Sequence, residues 1–229
     1  MNKVAIKSAV CAIVLLGSTL VASTANAGTG LGVRVGTMGF GVDLDVGMTE
    51  WLSGRLGYNY LSYNRTVDDT GVHYDGTIKI NSVSGTLDLH PFRGGFRISV
   101  GAVGSGPKIE TVGTPTSGSY QIGNNTYTAA QIGSLTGEIK FGNSVAPYVG
   151  IGYGNVASDK HRITFLFDLG ATYGGTPAVS LSAQCAAGLP ANVCTQLQSD
   201  AAVEIQKLQN NTSSIQWYPV INIGLGIRF

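Results

Sequence analysis

The last thirteen residues, Trp217 to Phe229, run W-Y-P-V-I-N-I-G-L-G-I-R-F and repeat with a period of two. On an extended chain Ile221, Ile223, Leu225, Ile227 and Phe229 share one face, and Asn222, Gly224, Gly226 and Arg228 share the other. One face is wholly apolar and the other is small or charged, so the strand needs two different surroundings.

The same pattern recurs upstream. Leu31, Val33 and Val35 alternate with Gly32, Arg34 and Gly36, and Phe40, Val42, Leu44, Val46 and Met48 alternate with Gly41, Asp43, Asp45 and Gly47. Leu52, Leu56, Tyr58 and Tyr60 oppose Arg55, Gly57 and Asn59; Val83, Leu87 and Leu89 oppose Ser84, Thr86 and Asp88. Phe96, Ile98, Val100 and Ala102 oppose Arg97, Ser99 and Gly101, and Ile163, Phe165, Phe167, Leu169 and Ala171 oppose Thr164, Leu166, Asp168 and Gly170. The stretch 145–153 is strand-like, but Tyr148 interrupts its pattern and leaves its facing open.

The alternation predicts eight strands, at about 29–36, 39–48, 52–65, 74–90, 95–110, 138–153, 161–176 and 215–229. Short turns at 49–51, 91–94 and 154–160 fall on one side, and long connections at 66–73, 111–137 and 177–214 on the other, with the turn near Thr37 an exception. Short turns opposite long loops is the asymmetry of membrane-spanning barrels.

Which face meets lipid follows from the charges. After residue 27 the lysines are Lys79, Lys108, Lys140, Lys160 and Lys207, all near predicted rims or in loops, whereas a water-facing strand surface is normally rich in Lys and Glu. No segment beyond the first 27 residues reaches 18 consecutive apolar residues, so a helical crossing of the membrane is excluded there. Strands crossing hydrocarbon must close, because unpaired backbone groups cost several kcal/mol each there. The predicted fold is all-β: a closed eight-stranded antiparallel up-and-down transmembrane β-barrel with a short helix in its last external loop. Trp51, Tyr58, Tyr60, Tyr153, Trp217 and Phe229 fall mostly near strand ends, where aromatic girdles form.

The beginning of the chain has a different character. Lys3 and Lys7 precede an apolar run from about Ala9 to Ala22 and the small-residue stretch Ala25-Asn26-Ala27, the layout of a cleaved secretory signal over 1–27 that leaves 28–229 as one barrel domain. Subtracting the two lysines from 14 basic residues leaves 12 against 13 acidic ones, so the formal charge moves from +1 to −1. No basic stripe remains to suggest nucleic acid. Export through an oxidising compartment makes a disulfide the expected state of Cys185 and Cys194, nine residues apart in the longest loop.

Together, the signal, the alternating strands and the closing Gly226-Ile227-Arg228-Phe229 resemble small bacterial outer-membrane barrels of the OmpA/OmpX type. The likeness extends over nearly the whole mature chain in architecture. It implies residence in the outer membrane, with outer-membrane lipid and the barrel-assembly machinery as partners. It further implies that the terminal face, Ile223, Leu225, Ile227 and Phe229, forms part of the signal that machinery reads. The roles it implies are envelope integrity, surface adhesion or a narrow pore, without a choice among them.

Two sets of residues are candidates for function. Arg34, Arg55, Arg97 and Arg228 share inward faces with Asp43, Asp45, Asp88 and Asp168. Such charges are tolerated when paired, and they read either as a plug of ion pairs or as a gated polar path. An interior of eight strands is only wide enough for its own side chains, which argues against a wide channel. His73, with Asp68, Asp69 and Asp75 nearby, permits a hydrolytic or metal site in a loop, although loop carboxylates beside a histidine are usually just solvated. His90 and His161 fall by the short turns. No zinc-ligand spacing and no G-x-S-x-G pattern occurs, and Gly150-Ile151-Gly152-Tyr153-Gly154 lacks the strand-then-helix context of a phosphate loop, so neither cofactor nor catalysis is expected.

Within the last loop, over 190–210, Val193, Leu197, Ala201, Ile205 and Leu208 recur at helical spacing after Pro190, predicting an amphipathic helix that caps the barrel mouth or meets a partner. Residues 119–128 predict a small projecting hairpin. The expected role is a non-enzymatic, monomeric integral outer-membrane protein that serves envelope integrity or meets an external ligand or host surface through its loops. The alternatives are a narrow passage for small solutes or hydrophobic molecules and, behind it, a surface enzyme at His73 acting on lipid or peptide.

Overall fold

The computed structural model describes residues 28–69, 71–157 and 162–229; the predicted signal at 1–27 and His161 lie outside them. The chain forms β1 (Thr29–Gly36), β2 (Gly39–Thr49), β3 (Leu52–Asp69), β4 (Val72–Leu89), β5 (Phe96–Gly104), β6 (Lys108–Pro115), β7 (Ser119–Ile122) and β8 (Asn125–Thr128). It continues with β9 (Ile132–Lys140), β10 (Val145–Tyr153), β11 (Ile163–Tyr173), β12 (Ala178–Cys185), helix α1 (Ala191–Thr212) and β13 (Trp217–Arg228).

Eight of these strands close on one another in the order β1-β2-β3-β4-β5-β10-β11-β13 and back to β1, every pair antiparallel. The seam between first and last strands runs from Gly30 opposite Arg228 to Gly36 opposite Asn222. Outward side chains are aliphatic and bare: Val33, Leu56, Val83 and Ile163 are 59%, 60%, 61% and 64% exposed. A band of this size facing water would be an association surface, whereas facing acyl chains it is satisfied. Trp51, Phe92, Tyr153 and Phe229 ring the short-turn end, which in outer-membrane barrels is periplasmic, and Tyr60 with the tilted ring pair Tyr173 and Trp217, 5.1 Å between centroids, marks the outer end. The protein is therefore an outer-membrane β-barrel.

Strands β3 and β4 each hold 18 residues, whereas about 9–11 tilted residues cross a membrane. The remainder stands above the bilayer, and the two faces exchange character at the boundary. On β4 the lumen-side positions Ser82, Ser84, Thr86 and Asp88 give way to Ile80, Ile78, Tyr74 and Val72, while the lipid-side Val83, Leu87 and Leu89 give way to Asn81, Lys79, Asp75 and His73. Strand β3 behaves alike, from Arg55 and Asn59 to Leu61, Tyr63 and Val67 on the inner side.

Above the bilayer β4 takes β6 as its neighbour in place of β5, and β9 and β12 follow. The single strands expected at 95–110, 138–153 and 161–176 are thus corrected: each is interrupted, at 105–107, 141–144 and 174–177. The interruptions are stitched together by Ser105 N–H to Ser144 O at 2.9 Å, Asn143 N–H to Gly174 O at 2.9 Å and Gly174 N–H to Gln216 O at 2.9 Å. Phe141 fills the bend, edge-on to Tyr218 at 5.9 Å and packed where a side chain on Gly174 would otherwise sit. Likewise the loop expected at 66–73 is largely strand, β3 reaching Asp69 and β4 beginning at Val72.

The β7–β8 hairpin and α1 cover part of the inner face of this outer sheet. Leu197 and Ala201 pack with Ile122, Tyr127, Ile132 and Ala183, and Val193 flanks them. Asp200 accepts hydrogen bonds from Tyr127 Oη and from Asn125 Nδ2 at 2.7 Å, fastening helix to hairpin. Of the predicted stripe, Leu208 stays exposed, so the helix buries its first half only. It packs on β12 and the hairpin and leaves the barrel mouth to other residues, which corrects the expectation of a cap. Cys185 and Cys194 form a disulfide that ties the end of β12 to α1.

Closing so short a loop stabilises this unit by about 2–3 kcal/mol. Replacing both cysteines by serine is expected to expose α1 to limited proteolysis while the barrel keeps its heat-dependent gel shift. Unchanged protection of α1 would show the disulfide contributes nothing there.

Candidate functional site

The barrel interior is filled at three levels among the described residues. At the periplasmic end the residues just after β10 bend inward: Val156 and Ala157 are 1% and 3% exposed, and Leu166 packs nearby at 1%. Room for Val156 exists because its neighbours on β1 and β13 are Gly30 and Gly226, where any Cβ would come within 2.4 Å of it.

The middle level is an ion cluster. Asp168 on β11 accepts from Arg34 Nη1 at 3.3 Å, Arg55 Nη1 at 3.1 Å and Arg97 Nη2 at 2.8 Å. Arg34 also grips Asp43, and Arg55 holds Asp88 through Nε and Nη2 at 3.2 and 3.3 Å. Arg97 donates to the Gly154 carbonyl as well, linking the cluster to the inward turn. Arg97 and Asp168 come from β5 and β11, strands separated by β10, and they meet because the β10 residue between them is Gly152. A Cβ there would stand 2.9 Å from Arg97 Nε and 3.0 Å from Asp168 Oδ1. Three guanidiniums thus face Asp43, Asp88 and Asp168, a balanced set in a place where a lone charge would be heavily penalised.

Two other predicted members are placed differently. Asp45 is buried opposite Arg55 in the β2–β3 register, and its Oδ2 accepts no hydrogen bond. Arg228 stands at the periplasmic rim, where its backbone N–H bonds Arg162 O at 3.0 Å, apart from the cluster.

The outer level is apolar: Met38, Ile80, Val103, Tyr148 and Val220 are buried together, with Leu61 and Tyr218 against them. Tyr218 donates to Thr37 O at 2.6 Å, pinning the β1–β2 turn over the mouth. Tyr148, whose facing the sequence left open, points inward, lying over Gly150 and Gly170. A tyrosine two residues before a glycine on the inward parity was the signal for it. Between ion cluster and apolar lid lies a cavity of about 30 Å³, bounded by Arg34, Arg55, Asn59, Met38 and Tyr148, room for a water or two.

The histidines lie elsewhere. His73 faces Asp68 across the β3–β4 ladder at 2.6 Å, with Asp75 at 3.8 Å, on the outer face near the hairpin tip. The Asp68 hydrogen bond holds its imidazole above the ordinary histidine range. Among the described residues no group of three His, Cys, Asp or Glu side chains is arranged to hold a metal ion. His90 is buried at the periplasmic rim, 3.1 Å from Ser53 Oγ and 3.2 Å from Gly94 O. Donation from Nδ1 to the carbonyl leaves Nε2 to accept the serine hydroxyl, and burial pushes the imidazole below its ordinary range. The pair fastens the β4–β5 turn to the barrel.

The external unit carries the second cavity. A hollow of about 220 Å³ lies on the inner face of the outer sheet, lined by Val72, Tyr74, Pro115, Tyr120, Leu135 and Leu181. Below it Tyr63, Ile78, Ile109, Ile139 and Val179 stand in register across β3, β4, β6, β9 and β12. The first four of these are 50%, 37%, 42% and 38% exposed.

Solved structures share this architecture. CarO2 of Acinetobacter baumannii superposes with a TM-score of 0.60 at 22% identity, covering 88% of this chain and 98% of its own. CarO of Acinetobacter baumannii gives 0.59 at 22%, covering 87% and 97%. A major outer membrane protein from Thermus thermophilus gives 0.43 at 14%, covering 89% and 99%. No family model and no curated protein matches the sequence.

Asp168→Ala removes the acceptor shared by three buried guanidiniums, and a loss of about 3–5 kcal/mol in unfolding free energy is expected in detergent micelles. Gly152→Val should weaken the barrel without altering any charge. A native state that keeps His90 neutral binds fewer protons than the unfolded chain, so it loses stability as pH falls below the ordinary histidine range. His90→Gln should therefore flatten the acid side of the stability profile. An unaltered profile would remove His90 from that role.

Proposed function

We propose that this protein is a non-enzymatic outer-membrane barrel with a filled lumen, whose working surface is the apolar inner face of its outer sheet. The observation that carries the reading is the exchange of face polarity along β3 and β4. A strand that only had to end above the bilayer would be polar on both faces, yet Tyr63, Val67, Tyr74 and Ile78 remain exposed on the inner one. Exposed apolar area of this kind, rimmed by polar residues, favours an interaction partner at the cell surface. The disulfide and the Asp200 contacts hold helix and hairpin beside that face, which supports a rigid platform in preference to loose loops.

The hollow beside Tyr74 and Leu135 favours a second reading, capture of a small hydrophobic molecule on the same face. Passage through the barrel needs the ion cluster, Val156 and Ala157 below it and the apolar level of Met38 and Tyr148 above it to move. The terminal face Ile223, Leu225, Ile227 and Phe229 lies toward lipid, where assembly machinery would meet it.

Purified protein in planar bilayers should be silent. Discrete conductance that shifts on Arg97→Gln or Asp168→Asn would overturn the filled-lumen reading. Ile78→Lys combined with Ile109→Lys should leave insertion intact but abolish adhesion to the envelope or host surface that the wild type binds, and undiminished adhesion would exclude the inner face.

A further inference from the structure

The outer face of the same sheet carries a different arrangement. Lys79 of β4 is the register partner of Lys108 of β6, and Lys108 that of Lys140 of β9. On the next same-face rung, farther from the membrane, stand Thr77, Glu110, Glu138 and Ser180. Like charges directly opposite on neighbouring strands repel. Here each lysine leans away from the membrane onto a glutamate: Lys79 to Glu110 at 2.6 Å, Lys108 to Glu110 at 2.8 Å and to Glu138 at 2.9 Å, Lys140 to Glu138 at 3.6 Å. The two lysine hydrogen bonds hold Glu110 at about 2, and the Lys108 hydrogen bond holds Glu138 below the usual carboxylate range.

The height of the row gives it meaning. Tyr58, Val83, Gly104 and Val145 form a lipid-facing rung, Tyr60 and Asn81 lie above it, and the lysines come next. Lys79 lies four positions along β4 from Val83, about 13 Å along a tilted strand, which reaches from hydrocarbon to the headgroup layer. Neighbouring strands are about 4.8 Å apart, so the three ammonium groups span roughly 10 Å. Three cations meet only two carboxylates. Each ammonium has three donors; hydrogen bonds engage one on Lys79 and two on Lys108, while Lys140 stands 3.6 Å from Glu138, beyond hydrogen-bond distance. The side chains of Lys79 and Lys140 are 53% and 59% exposed.

We propose that Lys79, Lys108 and Lys140 form a binding site for the phosphate groups of an anionic lipid of the outer leaflet, whose acyl chains lie against the aliphatic face of β4, β5 and β10 beneath. Glu110 and Glu138 hold the ammonium groups in line and keep the row from collapsing onto the backbone. The site is on the opposite face of the sheet from the proposed interaction surface and does not depend on it.

The test uses the full mature chain folded in zwitterionic micelles, with bisphosphorylated lipid A, its dephosphorylated form with the same acyl chains, and inorganic phosphate as probes. An anionic surface contributes about five-fold per lysine, so replacing all three by glutamine should weaken the phosphorylated lipid by about a hundred-fold. Binding of the dephosphorylated lipid should be unchanged, and the three-arginine variant should bind like the wild type. If the triple glutamine variant fails to fold, Lys79→Gln and Lys140→Gln alone should each lower affinity about five-fold. Equal affinity for the two lipids, or no effect of the substitutions, overturns the site. Inorganic phosphate competing mole for mole with the lipid would assign the row to a free anion and overturn the lipid.

Discussion

Every backbone amide in hydrocarbon needs a partner, since each one left bare costs several kcal/mol. Strands answer that demand only by closing, and eight strands close around a bore that side chains fill. The interior chemistry follows: polar residues cannot reach water, so Arg34, Arg55 and Arg97 converge on Asp43, Asp88 and Asp168. Convergence in turn requires absences. Gly152 stands between Arg97 and Asp168, and Gly30 and Gly226 admit Val156 from below. Glycine in this barrel is the complement of the large groups that occupy its axis.

Once β3 and β4 leave the bilayer the same geometry serves the opposite purpose. Water now wets the outer face, so lysine and glutamate take the positions that valine and leucine hold lower down. The inner face, no longer walled in, keeps apolar residues, and part of them is covered by the helix and hairpin. Alternation is unbroken through the boundary, but its meaning is inverted within two residues, at Ile80 and Asn81.

That inversion explains what the sequence disclosed. The eight barrel strands were legible because one parity is aliphatic over long runs, and the helix was legible from Leu197 and Ala201 spaced four apart. Strands β6, β9 and β12 were hidden: each is eight or nine residues long, and β6 and β9 carry threonine and glycine, and β12 serine and alanine, among the aliphatics. The partners within the ion cluster were hidden too, because Arg97 and Asp168 lie 71 residues apart and their meeting depends on which strand separates them. Parity names the residues that face the axis, but not their height along it, which is why Arg228 was grouped with a cluster it does not join. Lys79, Lys108 and Lys140 were read only as rim residues, since their alignment exists solely in the register of strands that alternation did not reveal.

The interruptions on β5–β6, β9–β10 and β11–β12 lie at one level, whereas β3 and β4 pass that level as an unbroken ladder of 18 paired residues. The outer sheet is therefore joined to the barrel by unbroken strand pairing along that one beam, while its other connections pass through the three interruptions and the link 213–216 into β13. The foot of the beam holds Arg55 on one rail and Asp88 on the other. The ladder that carries the outer sheet is thus rooted, at its membrane-embedded foot, in the ion cluster.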